Sequence, residues 1–227
     1  MKTIVLSVGG SIIIPDRINF KFVDNLKKTI EKHNKKYKFV LVCGGGSIAR
    51  RYIEALSSEK MPEKELAIAG MRATRMNAMF LMQLFGKEAN ETLPTDMKSV
   101  KDHLKKKSIV ICGALRFLKH STSDGTAARL AHMLRSDFVN MTNVKGLYDS
   151  NPKDNPKAKF IPKISWKDFE KMALSIKFKA GQHFVLDQEA AVLIRKCKIP
   201  TYIIGRNMKN LSELIGGKKF MGTTISG

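Results

Sequence analysis

The stretch Val40-Leu-Val-Cys-Gly-Gly-Gly-Ser-Ile-Ala-Arg-Arg-Tyr-Ile53 joins an apolar run to three glycines and then to a basic segment with helical spacing. Such an apolar run predicts a buried strand, and glycines between a strand and a helix let a backbone approach a ligand closely. The stretch therefore predicts a strand, a loop that offers its amides to an anion, and a helix. It matches neither the G-x-x-x-x-G-K-[ST] phosphate loop nor the G-x-G-x-x-G dinucleotide fingerprint.

Strand and helix patterns alternate on both sides of this stretch, as is typical of a parallel sheet covered by helices. The predicted strands are Thr3–Val8, Phe39–Cys43, Ser108–Cys112, Asp137–Met141 and Pro200–Ile204. The predicted helices are Phe20–Lys32, Ser47–Ser57, Lys64–Phe85, Asp124–Leu134, Ser165–Leu174 and Asp187–Lys196. We expect one continuous α/β unit over residues 1–227, with the proline-punctuated stretch 148–157 as a surface loop.

Length and composition exclude several classes of protein. The chain has 227 residues, 43% of them hydrophobic, which is enough for a sizeable core. No apolar run approaches the roughly 18 residues of a membrane helix, and the first apolar run is too short for a secretory signal. Cys43, Cys112 and Cys197 are too far apart for a disulfide framework or a zinc spacing. We therefore expect a cytoplasmic protein with free thiols and no membrane partner.

The net charge of +21 is the unusual feature of the composition. A field of this sign attracts nucleotides and nucleic acids. The lysines are spread along the chain, however, so a lysine-rich solvated surface is the favoured interpretation. Nucleic-acid binding is possible but not favoured, because aromatic residues do not interleave with the basic clusters.

Ligands of open parallel sheets bind outside the carboxyl ends of the strands, so the loops after the predicted strands are candidate sites. Gly9-Gly10-Ser11 offers bare amides and a hydroxyl to phosphate oxygens, although a tight structural turn explains it equally well. In the opening stretch, Arg50 lies one helical turn beyond the glycines and is placed to close over an anion. A solvent-facing arginine on an amphipathic helix is the alternative there.

A third loop, 121–126, precedes a predicted helix and contains Asp124. Asp124 stands where a helix N-cap is expected, and capping alone would explain its carboxylate. A functional role requires Lys119, His120 and Thr122 to face the same ligand, whereas His120 alone is typical of a protein surface.

The fourth loop, Thr142–Tyr148, follows another strand, and its Asn143 and Gly146 fit a turn. Tyr148 either flanks a base or packs under its own loop. No catalytic triad, carboxylate pair or metal-ligand spacing stands out anywhere in the chain. Several phosphate-compatible loops with scattered cations indicate phosphoryl-transfer chemistry, in which positioning and charge stabilisation do most of the work.

The order of these loops resembles the amino acid kinase family, and within it the archaeal-type uridylate (UMP) kinases. The resemblance runs from Met1 to Gly222-Thr-Thr224. Its motifs are V8-G-G-S11, G-G-G-x-x-A-R at 44–50, G-x-x-A-T-R-x-N-A-M at 70–79, T-x-D-x-x-A-A at 122–128, T-N-V-x-G-x-Y at 142–148, and K-A-G followed by V-x-D-x-x-A-A at 179–191.

This resemblance implies a three-layer αβα sandwich with a mainly parallel central sheet. The half at about 1–112 is expected to bind the acceptor and the half at about 113–227 to bind ATP. The implied reaction transfers the γ-phosphoryl group of ATP, bound with Mg²⁺, to UMP and yields UDP. Members of this branch form hexamers, so a homo-oligomer is expected.

The resemblance also implies roles for individual residues. The acceptor site would contain Gly45, Gly46, Arg50, Thr74, Arg75, Asn77 and Thr122. Gly9, Gly10 and Ser11 would contact the transferring phosphates, and Asp124 would organise cationic groups around the transition state. The ATP site would contain, besides Gly9, the residues Thr142, Asn143, Gly146, Tyr148 and Lys179. No residue is assigned to a metal.

The chain departs from the family's pattern at several positions. Ser7 stands where many relatives have lysine, and Ala67 where uridylate kinases usually place an aspartate that holds the ribose hydroxyls, so that Glu65 or a water would have to substitute. Lys145 and Asn151 replace aspartates near the donor, and the segment 114–120 differs in length and composition. These departures keep two alternatives open: a kinase of the same fold for another small acceptor, and a non-catalytic nucleotide- or RNA-binding relative.

Overall fold

Seven strands form one sheet in the order β3-β2-β1-β4-β8-β9-β7. The computed structural model describes residues 1–117, 122–152, 154–175 and 185–227. The strands are β1 Lys2–Val8, β2 Tyr37–Cys43, β3 Ile109–Cys112, β4 Asp137–Met141, β5 Leu147–Tyr148, β6 Phe160–Ile161, β7 Lys163–Ile164, β8 Thr201–Ile204 and β9 Gly222–Ile225. The neighbours β3, β2, β1, β4 and β8 are parallel, β9 is antiparallel to β8, and β5 and β6 form a separate hairpin.

Helices cover both faces of this sheet. They are α1 Gly10–Ile13, α2 Phe20–His33, α3 Gly46–Ser58, α4 Glu63–Phe85, α5 Met97–Lys106, α6 Ser123–Leu134, α7 Trp166–Ser175, α8 Gln188–Lys196 and α9 Met208–Ile215, with a 3₁₀ turn at Gly86–Glu88. The three-layer αβα arrangement and the mainly parallel sheet that were predicted are confirmed.

The core consists of two apolar clusters, one on each face of the sheet. Ile4, Leu6 and Val8 of β1 enter the cluster packed by α2, α4 and α9, whereas Val5 enters the cluster packed by α5, α6, α7 and α8. This division follows from the two-residue period of a strand, which points successive side chains to opposite faces. Strands buried on both faces read as continuous apolar runs, and this is why they were visible in the sequence.

The predicted elements agree with the observed ones to within two residues at each end. The helices α1, α5 and α9 and four short strands were not predicted. In α5 only Val100 and Leu104 are buried, and a single apolar pair is too little to show helical periodicity in the sequence. Asp96 fixes the start of this helix through a capping box with Ser99.

β1 lies at the middle of the five parallel strands, and the strand order reverses beside it. β2 and β3 are added on one side of β1, and β4 and β8 on the other. A crevice outside the carboxyl ends of the strands is expected where the order reverses. The carboxyl ends of β1 and β4, at Val8 and Met141, therefore position the site.

Two expectations concerning the whole chain can be compared with the structure. Cys43, Cys112 and Cys197 form no disulfide. Within the described residues no helix is both long enough and apolar enough to cross a membrane.

Candidate active site

Two glycine loops lie backbone against backbone at the carboxyl ends of β1 and β2. The amide of Gly9 donates to Met141 O at 3.1 Å, and the amide of Gly44 donates to Val8 O at 2.9 Å. A Cβ at Gly10 would lie 1.9 Å from Gly46 N, and Gly46 itself has a φ of +65°. Only glycine allows this approach and this backbone conformation. The loops predicted separately from V8-G-G-S11 and G44-G-G46 therefore form a single structure.

Four backbone amides of this double loop lack a protein acceptor in the described part of the chain. Within the described residues, the amides of Gly10, Ser11, Gly45 and Gly46 donate to no protein acceptor. α1 begins at Gly10 and α3 at Gly46, so the first-turn amides have no partner inside their helices. Unpaired amides at a helix start favour an anion. A tight structural turn at Gly9–Ser11, the alternative raised from the sequence, is also consistent with the close backbone packing of these loops.

Asn77 and Thr74 of α4 support this double loop from behind. The buried amide of Asn77 donates to Gly44 O at 2.7 Å and to Gly45 O at 3.2 Å. Thr74 Oγ1 donates to Met71 O at 2.7 Å and accepts from the amide of Ala114 at 2.8 Å. Both residues were predicted to line an acceptor pocket. Here they orient the backbone that borders it.

Arg75 is bound to the loop that follows β3. Its Nε donates to Ala114 O at 2.9 Å and its Nη2 donates to Leu115 O. A Cβ at Gly113 would lie 2.7 Å from Arg75 N, so α4 passes close to the end of β3. In this structure Arg75 fixes the first residues of the segment 114–120, and residues 118–121 of that region lie outside the described part of the chain.

Arg50 occupies the position that the sequence indicated, one turn into α3. Its side chain is exposed. Among the described residues no carboxylate lies within ion-pair distance of it. An exposed guanidinium without an ion-pair partner fits the solvent-facing alternative as well as a phosphate site, where it could bind with two donors at once.

Asp124 lies beside the central strand, in the first turn of α6. Ser7 of β1 is fully buried and its hydroxyl donates to Asp124 Oδ1 at 2.6 Å. Burial and the nearby charge of Asp187 raise the pKa of Asp124 to about 7, against the opposing effect of the Ser7 hydrogen bond. In the described part of the chain Asp124 forms no ion pair. Among the described residues this carboxylate therefore has a hydroxyl, and no cation, as its partner.

The helix cap at this loop differs from the prediction. Thr122, not Asp124, is the N-cap of α6, and its Oγ1 accepts from the amide of Gly125 at 3.1 Å. The same hydroxyl donates to the carboxylate of Asp187. Capping therefore does not explain the aspartate at position 124, whose side chain instead reaches the central strand.

Asp187 is a site residue that the sequence motif contained but to which no role was assigned. It caps α8 by accepting from the amide of Ala190 at 2.8 Å. Through Thr122 it joins the starts of α6 and α8, and its charge acts on Asp124. The signal available in the sequence was the repeated spacing D-x-x-A-A, at 124–128 and at 187–191.

The predicted donor loop follows β4, the strand next to β1. The amide of Thr142 donates to Ile204 O at 2.9 Å, and Asn143 and Lys145 are exposed. A Cβ at Gly146 would lie 2.7 Å from Thr223 Oγ1, so the loop packs tightly against β9. Thr223 also accepts from the amide of Leu147 at 2.8 Å and was not predicted.

Some of the other residues discussed for these loops lie in the described part of the chain, and others lie outside it. The ring of Tyr148 packs edge-on against Phe160, with 5.5 Å between centroids, which is the packing alternative raised for this residue. Asn151 donates to Asp154 Oδ2 at 2.6 Å. Lys179, Lys119 and His120 lie outside the described residues.

Ala67 lies on the face of α4 that approaches the glycine loop. A Cβ at Gly45 would lie 3.6 Å from Gly70 O and from Thr74 Cγ2, and residues 67, 70 and 74 share one face of a helix. Glu65 is two positions from Ala67 and therefore points to the opposite side of α4. The substitution of Glu65 for the missing carboxylate, considered from the sequence, does not fit this geometry.

The residues present are compatible with Mg²⁺ that arrives with a nucleotide. Among the described residues no group of three or more metal-binding side chains is assembled. Mg²⁺ in kinase sites is held mainly by phosphate oxygens and water, with one or two carboxylates. Asp124, a carboxylate in the crevice with no cationic partner in the described chain, meets that lesser requirement.

Comparisons with known proteins agree with this geometry. Residues 2–205 match the model of the amino acid kinase family. The uridylate kinase of Thermococcus sibiricus is 35% identical over 217 residues, which cover 95% of this chain and 96% of that protein. The uridylate kinase of Thermococcus kodakarensis is 34% identical over 224 residues and 98% of each chain.

Solved structures of a uridylate kinase and a UMP kinase superpose on this chain. The uridylate kinase of Archaeoglobus fulgidus superposes with a TM-score of 0.87 and 31% identity over 100% of both chains. The UMP kinase of Ureaplasma parvum superposes with a TM-score of 0.81 at 23% identity, covering 100% of this chain and 99% of that one, and therefore shares the fold.

Proposed function

The chain belongs to the amino acid kinase family, and from this premise we propose that it is a uridylate kinase. It transfers the γ-phosphoryl group of ATP to the 5′-phosphate of UMP and yields UDP and ADP. The observation that carries this proposal is the similarity to archaeal uridylate kinases over nearly the whole of both chains. The arrangement of Asp124 and the two glycine loops in the crevice beside β1 supports it.

The reaction requires two phosphate groups to approach each other across the crevice. An oxygen of the UMP phosphate attacks the γ-phosphorus of ATP, and the bond from that phosphorus to the β,γ-bridging oxygen breaks. Charge spreads over the transferring group and the oxygens in line with it. The protein therefore has to position two anions and offset their repulsion.

The chain's own residues are suited to this task. The amides of Gly45 and Gly46 and the guanidinium of Arg50 would bind the acceptor phosphate. The backbone amides of Gly10 and Ser11 would face the transferring phosphoryl group. Mg²⁺ bound with ATP would offset the negative charge of the phosphates, and the carboxylate of Asp124 would help to hold it. Ser7, through its 2.6 Å hydrogen bond, holds that carboxylate in place.

The donor nucleotide would lie over the loop after β4, beside Thr142, Asn143, Gly146 and Tyr148, with Lys179 nearby. Division of the work between residues 1–112 and 113–227 follows from this placement. Lys145 is exposed in that loop, in a position where the family's pattern has an acidic residue. A lysine there adds attraction for the polyphosphate of ATP.

We also propose that the chain forms a homo-oligomer, a hexamer by its resemblance to relatives. In α3 only Ser47 is buried, although the helix has 13 residues. Tyr52 of α3 and Met76 of α4 expose 56% and 59% of their surface. Large exposed apolar side chains on two adjacent helices are typical of an interface between subunits. Light scattering of the purified protein measures the state directly.

A cytoplasmic location fits the three unpaired cysteines, because a reducing compartment keeps thiols free.

The function itself is tested by an acceptor panel. Purified protein is incubated with Mg-ATP and, separately, with UMP, CMP, AMP and GMP, and the products are separated by chromatography. UDP is the expected principal product. Binding of ATP without phosphorylation of any nucleoside monophosphate would refute the proposal.

A further inference from the structure

The amino-terminal ends of the parallel strands form the edge of the sheet opposite the active site, and this edge is lined with cations. The parallel strands β3, β2, β1, β4 and β8 all begin there, and each begins beside a basic residue. We call this surface the basic edge and define it as Lys2, Lys35, Lys36, Lys87, Lys106, Lys107, Arg135 and Lys198. The proposed kinase reaction, which uses the other edge, gives these residues no role.

One end of the basic edge is a hollow of 370 Å³ lined by Lys35, Lys87, Lys106 and Lys107, with Glu88 the acidic residue in its lining. Glu88 accepts from the Asn34 amide at 3.0 Å. Lys107 donates to Lys87 O at 2.7 Å and lies 4.0 Å from Glu91. Within the described residues Lys35, Lys87 and Lys106 have no carboxylate partner. Several uncompensated cations around one hollow attract an anion.

Two further hollows continue this surface across the strands. The middle one, of 250 Å³, is lined by Lys2, Tyr37, Asp137 and Tyr202, and the far one, of 580 Å³, by His132, Arg135, Asp137 and Lys198. They share Asp137, which is paired with Lys2 at 2.6 Å. Since neighbouring strands lie about 4.8 Å apart, the five strand starts span about 19 Å.

The middle hollow places aromatic rings among these cations. Tyr37 directly follows Lys35 and Lys36 in the chain. The ring of Tyr202 packs edge-on against that of Phe220, with 5.8 Å between centroids, and Phe220 directly follows Lys218 and Lys219. Tyr37 and Tyr202 are both half-buried. Strand order brings the two tyrosines to one hollow, in which Lys2, the lining cation, is paired with Asp137.

We propose that the basic edge binds single-stranded RNA, with the backbone phosphates on the lysines and bases against Tyr37 and Tyr202. Proteins that bind single strands without sequence preference combine a cationic track with aromatic platforms in this way. An anionic bilayer is the competing ligand, because Met1 and Met133 expose apolar side chains at two of these hollows. A bilayer would not use the rings of Tyr37 and Tyr202, which are half-buried in the middle hollow. Half-buried rings inside hollows suit flat bases.

The test measures binding of a fluorescein-labelled 12-nucleotide RNA to the full-length protein by anisotropy, from 50 to 200 mM NaCl. The variant Lys35→Glu/Lys106→Glu changes two unpaired lysines of the first hollow. The matched control Lys21→Glu/Lys209→Glu alters the net charge equally. Both control lysines are exposed, in the first turns of α2 and α9, which begin at the opposite end of the strands. UMP kinase activity is measured in parallel as a check on folding.

We expect wild type to bind with an affinity that falls about fifty-fold over this salt range if about four phosphates are contacted. The edge variant should bind at least tenfold more weakly, with a salt slope smaller by about 1.4, because each phosphate contact contributes about 0.7. The control should stay within about twofold of wild type. Equal losses in both variants would show a diffuse effect of net charge and overturn the proposal.

Two competitors examine the identity of the ligand. Inorganic polyphosphate of the same length carries the charge without bases, so it should displace the RNA at least tenfold less effectively. Vesicles containing phosphatidylserine should not displace it. Equal competition by polyphosphate, or binding to vesicles but not to RNA, would contradict the proposal. All these outcomes are independent of whether UMP is the substrate of the kinase site.

Discussion

The hydroxyl of Ser7 donates a 2.6 Å hydrogen bond to Asp124 Oδ1 and thereby ties the central strand to the first turn of α6. Many relatives of this chain have lysine where it has serine, and a lysine there would supply a cation directly. Serine supplies orientation without charge. The cation opposite Asp124 must therefore come from the ligand or from another residue, which agrees with a site that binds ATP together with Mg²⁺.

The raised pKa of Asp124 predicts a pH dependence of stability. Its pKa is about 7 in the folded protein and 3.8 is its ordinary value. Between these values the folded state binds more protons than the unfolded state, so the free energy of unfolding falls as pH rises from about 4 to 7. The effect is present in full below pH 4 and absent above pH 7.

The variant Asp124→Asn removes this effect. Between pH 5 and 7, wild type should lose about 1 to 2 kcal/mol of stability relative to the variant, an amount reduced by the partial exposure of the group. Urea unfolding of both proteins at each pH measures the difference. Asp24→Asn, which breaks a surface ion pair with Lys28, is the control and should show no such trend. A constant difference between wild type and Asp124→Asn would contradict the assigned environment.

The contact of the two glycine loops predicts a strong effect of Gly10→Ala. The added Cβ would lie 1.9 Å from Gly46 N. Because the atoms that it meets belong to the backbone, the two loops must separate. We expect a loss of kcat of at least about a hundredfold, since misplacement of about 1 Å is that costly in a positioning enzyme. Gly216→Ala, at the end of α9 with a φ of −78°, is the control and should retain activity.

Arg50 and Arg51 form a matched pair for testing the acceptor grip. Both are exposed on the same turn of α3, but their side chains point about 100° apart. Arg50→Ala should raise KM for UMP and lower kcat/KM about a hundredfold, because a charge-assisted bond to phosphate is removed. Arg51→Ala should change kcat/KM less than threefold. Steady-state rates with UMP varied give both values, and equal effects would remove Arg50 from the site.

Ala67 predicts a gain of function. An aspartate at this position would lie on the same face of α4 as Gly70 and Thr74, towards the glycine loop. A hydrogen bond from the ribose to a carboxylate contributes about 1.5 kcal/mol or more, so Ala67→Asp should lower KM for UMP about tenfold. Glu65→Gln, on the other side of the helix, should leave KM unchanged. A tenfold rise in KM for Ala67→Asp would indicate that the ribose lies elsewhere.

The buried strands were predictable because runs such as Phe39–Cys43 are apolar throughout, a pattern that burial on both sheet faces produces. The glycine loops were predictable as places of close backbone approach, because glycines follow two predicted strands. Their mutual contact was not, because Gly10 and Gly46 meet only once β1 and β2 are paired.

The environment of Asp124 could not be read from local sequence. Local spacing favoured an N-cap at Asp124, and Thr122 takes that place because its hydroxyl reaches the amide of Gly125. The partners Ser7 and Asp187 are 117 and 63 residues away along the chain. The basic edge depends in the same way on strand order, since six separate segments of the chain contribute to it.

The most direct test of the central claim follows a labelled phosphoryl group. Wild-type protein and Asp124→Asn are incubated with [γ-³²P]ATP, Mg²⁺ and UMP, and the nucleotides are separated. We predict label in UDP with wild type, at least a hundredfold less with Asp124→Asn, and none when EDTA removes Mg²⁺. Label that remains in ATP or appears only as inorganic phosphate, while wild type binds both nucleotides, would contradict a uridylate kinase.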